Sequence, residues 1–254
     1  MTSDEVERSI KALSKYNLVL NRFSLAIDER QDNLPFITFN RSSYPGFEAH
    51  LFTIADASQW TPEFNSDSCV VLEGQKNTDS YESWKKLLTV AQEILESLET
   101  YRQGLKHGII PSTHWAYHET RWYRENWESQ IHELRPSEDF LYSVDESIKH
   151  HIKTLNDLGF PTTQSCSGLA KDHPDREPYV PYVMFDERMF PRSSAHLFTL
   201  ADITGWIPAY GPHNFDIEFR LPSPEDSEMF WESLVKSAKR LAELLHEYRE
   251  SYKD

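Results

Sequence analysis

The chain repeats itself, and that repetition limits what it can fold into. Ala49-His50-Leu51-Phe52-Thr53-Ile54-Ala55-Asp56 returns as Ala195-His196-Leu197-Phe198-Thr199-Leu200-Ala201-Asp202, and nine of the fourteen positions from 49 to 62 are identical at an offset of 146. Self-similarity at a fixed offset marks copies of one supersecondary unit. The same offset pairs Pro35-Phe36-Ile37-Thr38-Phe39 with Pro181-Tyr182-Val183-Met184-Phe185. One residue further out, Trp84, Leu87, Ala91, Leu98, Tyr101 and Arg102 answer Trp231, Leu234, Ala238, Leu245, Tyr248 and Arg249. At the front, Val6, Ser9, Ile10 and Lys11 answer Val144, Ser147, Ile148 and Lys149 at an offset of 138. The expected organisation is a first repeat in 1–102, a connector in 103–141 and a second repeat in 142–254.

Each repeat reads as mixed helix and strand. Val144, Ile148, Ile152, Leu155 and Leu158 recur at helical spacing and stop at Gly159, a residue suited to closing a helix. Phe160–Gln164 and Pro178–Phe185 read as paired strands, and Phe215, Ile217 and Phe219 alternate with polar residues as a third. Between them Ser193 and Ser194 stand where they could cap a short helix over 195–202, ended by a Gly205-Trp206-Ile207-Pro208 turn. The apolar stripe Trp231, Leu234, Val235, Ala238, Leu241, Leu245 and Tyr248 makes a long amphipathic helix. The expected class is α+β: a tandem duplication of an α-β-β-α-β-α module with pseudo-twofold symmetry. Two three-stranded antiparallel sheets would then pack or join edge to edge. In the connector, Ala116, Thr120, Tyr123, Trp127, Ile131 and Leu134 predict a bridging helix over 112–134. His114 and His118 lie four apart on its other face, a spacing that turns two imidazoles toward one metal and that a solvated helix face carries equally well.

Composition narrows the classes of function. There are 26 Lys+Arg against 41 Asp+Glu, a net charge of −15, which disfavours a nucleic-acid partner because phosphate binding rests on Lys and Arg. No apolar run reaches membrane-spanning length, and the charged start MTSDEVERSIK lacks an apolar signal core, so a cytoplasmic protein is expected. Two cysteines cannot build a disulfide framework. Eight glycines without GxGxxG or GxxxxGK[ST] argue against dinucleotide and P-loop folds.

Function is expected where the repeats differ. His50/His196, Asp56/Asp202 and Trp60/Trp206 survive in both and read first as scaffold: core histidine, helix-end carboxylate, packing anchor. Only the second repeat has Thr162-Thr163-Gln164-Ser165-Cys166-Ser167-Gly168-Leu169-Ala170 followed by Lys171-Asp172-His173; the first has Leu20-Asn21-Arg22-Phe23-Ser24-Leu25-Ala26 and is shorter by about eight residues. A thiol, two hydroxyls and backbone N–H groups opened by a Gly turn suit a polar or anionic ligand head. The ligand-binding candidates are Thr163, Ser165, Cys166, Ser167, Gly168, Asp172 and His196. Cys166 and His173 are the catalytic candidates, the thiol becoming a nucleophile if Lys171, His173 or the turn amides lower its pKa. A tight turn around a small buried cysteine explains the same residues without a site.

These residues resemble a family. Asp145-Glu146-Ser147-Ile148-Lys149, a helix holding Leu155-Asn156, and then Thr162-Thr163-Gln164-Ser165-Cys166-Ser167-Gly168 look like the front of the wybutosine-synthesis tRNA methyltransferases. The resemblance implies S-adenosylmethionine as cofactor, a tricyclic guanosine in tRNA as substrate, and Thr163, Ser165, Cys166, Ser167 and Gly168 as site lining. It covers about 25 residues, and Leu169 stands where that family carries Arg. The layout is also similar to proteins in which T-x-x-S-C-x-G precedes P-Y-V-x-F, matched here by Pro181-Tyr182-Val183-Met184-Phe185, which implies a shared β-hairpin. Three functions stay open: a non-catalytic binder or regulator taking a small molecule at Ser165–Gly168, an S-adenosylmethionine-dependent RNA-modifying enzyme, and a metal-assisted hydrolase built on the His114/His118 face.

Overall fold

The computed structural model describes residues 2–24, 34–40, 44, 46–64, 69–75, 80–109, 115, 138–174, 180–212, 215–221 and 227–252. Helix α1 (Ser3–Ala12) opens on a capping box: Thr2 Oγ1 accepts from the Glu5 N–H at 3.3 Å, and the Glu5 carboxylate accepts from the Thr2 N–H at 2.7 Å. That pairs two of the donors a helix start leaves open. A 3₁₀ turn, Leu13–Tyr16, leads to β1 (Leu20–Ser24), β2 (Phe36–Asn40), α2 (Phe47–Ser58), β3 (Thr61–Phe64), β4 (Cys69–Glu73), α3 (Ser80–Ser97) and α4 (Glu99–Lys106). After α5 (Glu138–Tyr142) the order returns as α6 (Lys149–Asp157), β5 (Thr162–Cys166), β6 (Tyr182–Asp186) and a 3₁₀ turn Glu187–Met189. Then follow α7 (Ser193–Thr204), β7 (Ile207–Tyr210), β8 (Asp216–Arg220), α8 (Ser227–Leu244) and α9 (His246–Glu250).

The strands form two four-stranded antiparallel sheets, ordered β1-β2-β4-β3 and β5-β6-β8-β7. Alternate residues build each core, as the two-residue period of a strand requires: Ile37, Phe39, Val70 and Leu72 in the first sheet, Val183, Phe185, Ile217 and Phe219 in the second, all 2 % exposed or less. Two compact units result, 1–99 with 244–252 and 254, and 100–243 with 253. This division differs from the sequence boundaries at 102 and 142, because α4 counts with the second unit and α9 with the first, where it packs on α2.

Three expectations need correction. Among the described residues each sheet has four strands, since Trp206-Ile207-Pro208 is not a turn but runs into β7, and Trp60-Thr61-Pro62 likewise into β3. Both are edge strands, where a proline's missing N–H can face away from the ladder and cost no bond. Helix α6 begins at Lys149, so residues 145–148 form a turn ahead of it. Ser193 does not cap α7: its hydroxyl bonds Phe190, and the N-cap is Arg192 in the left-handed region. The expected bridging helix and both His114 and His118 lie outside the described residues; of 112–134 only Trp115 is described.

At the front, the sequence identities fall at an offset of 138, whereas the buried positions and first strands of the two sheets correspond at 142. Val6/Ile148, Ile10/Ile152, Leu13/Leu155 and Leu18/Phe160 are all buried at that offset, and Leu20 and Thr162 both start the first strand. A shift of four is nearly one helical turn, so the apolar stripe alone cannot tell the two alignments apart. Backbone conformation can. The left-handed residues Asn17 (φ 62°) and Gly159 (φ 77°) match at 142; Gly46 (80°) and Arg192 (63°), and Gln59 (63°) and Gly205 (77°), match at 146. Both sheets also carry an irregularity after the first pairing, between Leu20 and Arg22 and between Thr162 and Gln164. No helix among the described residues is long and apolar enough to cross a membrane.

Candidate functional site

Asn156 near the end of α6 aims β5. Its side-chain amide donates to Ile152 O (2.8 Å) and Thr162 Oγ1 (2.9 Å), and its carbonyl accepts from the Thr162 N–H (2.9 Å). So fixed, β5 delivers Cys166 to the mouth of a loop that turns back over the residues preceding α6. Gly168, at φ 69°, allows that reversal. Gly168→Ala should therefore cost about 1–2 kcal/mol, read as a fall in urea midpoint; an unchanged midpoint would show that the loop relaxes freely.

Three chemically different groups converge there. His173 Nε2 lies 3.4 Å from Cys166 Sγ and 3.1 Å from Asp145 Oδ2, and the three ligand atoms fall within 4.8 Å of one another. The Ser167 N–H donates to Asp145 Oδ2 at 2.7 Å, and the Gly168 N–H reaches the Cys166 sulfur. A second carboxylate supports the loop: Asp172 Oδ2 accepts from the hydroxyls of Ser147 and Ser167, the latter at 2.7 Å, while Ser167 Oγ accepts from the Leu169 N–H at 3.1 Å. Ser167 is fully buried, Cys166 is 8 % exposed, and the His173 and Asp145 side chains keep 24 % and 13 % of their surface.

Electrostatics decides what this cluster can do. Burial pushes the Cys166 thiol above its usual range; the Gly168 N–H opposes this, and the charges of Asp145 and Asp172 add to it. The thiol is thus protonated at neutral pH, unlike an activated nucleophile. Nor is His173 wired as a relay, because carboxylate and thiol meet the same nitrogen instead of opposite sides of the ring. Burial alone would raise the Asp172 carboxyl, but the Ser147 and Ser167 hydroxyls outweigh it and hold the group low. The loop amides expected to face an anion are spent inside the loop on Asp145, Cys166 and Ser167. What remains is an acceptor surface with two carboxylates, better matched to a cationic or donor-bearing ligand than to an anion.

The other candidates are dispersed. Thr163 sits at the strand irregularity and bonds Asp216 Oδ1 at 3.3 Å. The Ser165 hydroxyl is buried with no hydrogen-bond partner among the described residues. His196 is 1 % exposed in α7, which packs on β7, β8 and the Glu187–Met189 turn; the contacts joining Asp145, Cys166, His173 and Asp172 are made without it. Sequence reasoning missed Asp145 and Ser147 because 144–158 read as helix, where they would have been surface positions. It also missed Tyr182, paired across the strands with Cys166; burial, and after it Cys166, Glu218 and Asp145, raise its phenol pKa. Among the described residues, a cavity of about 420 Å³ in the first unit, lined among others by Ser58, Gln59, Ser83, Lys86 and Thr89, is a competing candidate. Comparison with protein-family models, with curated proteins and with solved structures gives no match to this chain.

Proposed function

We propose that this chain is a duplicated α+β protein whose second unit binds a small polar ligand at the loop after β5, in a binding or regulatory role and not as a thiol enzyme. The observation that carries the reading is the convergence of Asp145, Cys166 and His173, with Asp172 behind them. The first unit supports it by contrast: at the offset of 142, Ser3 and Ser24 stand in the places of Asp145 and Cys166. One module keeps the chemistry while the other keeps the scaffold.

A second reading draws on the resemblance to tRNA methyltransferases. S-adenosylmethionine carries a sulfonium and an ammonium, and an acidic loop favours cations over anions. Calorimetric titration with S-adenosylmethionine tests it, with Asp172→Asn expected to abolish any heat. The primary reading is tested by amide NMR with a set of small polar fragments. Shifts should concentrate at 145–147 and 165–173. Shifts confined to 58–59 and 82–90, around the first unit's cavity, would instead move the binding function there.

A further inference from the structure

We infer that Asp145, Cys166 and His173 form a mononuclear zinc site with one coordination position left open. The inference rests on the reading of this loop as a ligand site and names what it takes first. Its basis is geometric. Zinc bonds thiolate sulfur at about 2.3 Å and imidazole nitrogen or carboxylate oxygen at about 2.0–2.2 Å. A tetrahedral angle then separates sulfur from nitrogen by about 3.5 Å and nitrogen from oxygen by about 3.3 Å. The corresponding separations here are 3.4 and 3.1 Å. Contacts that are poorly placed for a proton relay are therefore close to two edges of a metal tetrahedron. The third edge, from the Cys166 sulfur to the Asp145 carboxylate, is at most 4.8 Å.

The donor set chooses the metal. Sulfur and imidazole with a single carboxylate oxygen reject magnesium and calcium, which take oxygen ligands, and suit tetrahedral zinc. Binding displaces the Cys166 thiol proton to solvent, and the resulting thiolate plus the carboxylate cancel the two charges of the ion. Outer contacts of the kind metal ligands need are in place: the Ser167 N–H on Asp145 and the Gly168 N–H on the cysteine sulfur. Asp172 adds negative charge behind Ser167, which fixes it through its hydroxyl. Three protein ligands with a fourth position free is the arrangement in which zinc holds an exchangeable water or ligand atom. Only the second unit can build it, since Ser3 and Ser24 occupy the matching places in the first.

The test is titration of chelator-stripped full-length protein with Zn²⁺ against a chromophoric chelator, repeated with Co²⁺. One ion per chain is expected, with intense visible bands of tetrahedral cobalt and a near-ultraviolet sulfur-to-cobalt charge-transfer band. Cys166→Ser, Asp145→Asn and His173→Gln should each weaken Zn²⁺ binding at least about 100-fold, and Asp172→Asn about 10-fold, in keeping with an outer partner. Circular dichroism confirms that each variant is folded, and Asp172→Asn keeps the test decisive if a ligand variant is not. Zn²⁺ binding unaffected by any of the ligand variants would overturn the inference and send the ion elsewhere. Absence of Zn²⁺ binding together with fragment shifts at 165–173 would overturn it while leaving the ligand site standing; absence of both would end both.

Discussion

Trp231→Ala should lower stability by about 3–5 kcal/mol, the range for emptying a buried aromatic site. Trp231 is 1 % exposed in α8 and meets Trp206 edge-on, ring centres 5.0 Å apart at 70°. The first unit repeats the arrangement with Trp84 and Trp60 at 4.7 Å and 63°. In each pair the indole on the strand side donates to a backbone carbonyl, Trp206 to Phe230 O and Trp60 to Ser83 O. The indole N–H on the helix side, in Trp231 and Trp84, is buried without an acceptor among the described residues. That orphan donor is an unfavourable part of an otherwise favourable contact, costing about 1–3 kcal/mol. Trp231→Phe removes the donor while keeping most of the ring, so it should cost far less than Trp231→Ala. Urea unfolding followed by circular dichroism measures both. Equal losses for Phe and Ala would show that the N–H is satisfied, and a loss under 1 kcal/mol for Ala would show that the pair is not a core anchor.

The Trp pairs also show what the sequence could disclose. Long amphipathic helices, inner-face alternation in β2, β6 and β8, and the α+β class were all legible, because each follows from a period of 3.6 or 2 in apolar residues. The polar loop was legible too, as the place where two otherwise similar stretches part. Two kinds of feature were not. One is structure that depends on position within a sheet: Pro62 and Pro208 read as breakers until β3 and β7 are known to be edges. The other is register along a helix. With a helix read from Val144 on its apolar spacing, Asp145 falls on a helix surface; with α6 beginning at Lys149 it sits in a turn beside Ser167 and His173. The cluster's third member was thus hidden by an error of about one helical turn. Arg192 adds a smaller case, a left-handed residue that only its match with Gly46 would have flagged.

Glu187 should make the protein less stable as pH rises from 5 to 8. It opens the 3₁₀ turn after β6, its N–H bonded to Phe215 O at 2.9 Å. Burial first, then the neighbouring Asp186 and Asp216, push its carboxyl up to about 7, with the Ser194 hydroxyl opposing. Asp186 is held by Arg188 at 2.5–3.1 Å and receives the Arg188 N–H at 2.9 Å. Between the unfolded value of 4.5 and the folded value of about 7, the native state binds a proton that the unfolded chain does not. Stability from this group is therefore full at low pH and is lost as pH climbs through 7, by up to about 3 kcal/mol. His151 acts in the opposite sense: burial, and then His150, lower its pKa, so stability below its unfolded value rises with pH. The two are separated by substitution. Glu187→Gln should be more stable than the parent at pH 8, nearly equal at pH 5, and free of the fall between, as read from Tm in matched buffers. Parallel Tm curves for parent and variant would show that Glu187 ionises normally. Ser194 also accepts from the Trp115 indole N–H at 3.1 Å, so the hydroxyl that opposes the Glu187 shift is itself bonded to Trp115. A Trp115→Phe variant should therefore raise the Glu187 midpoint, since a Ser194 hydroxyl that no longer accepts from the indole is a weaker donor to the carboxylate.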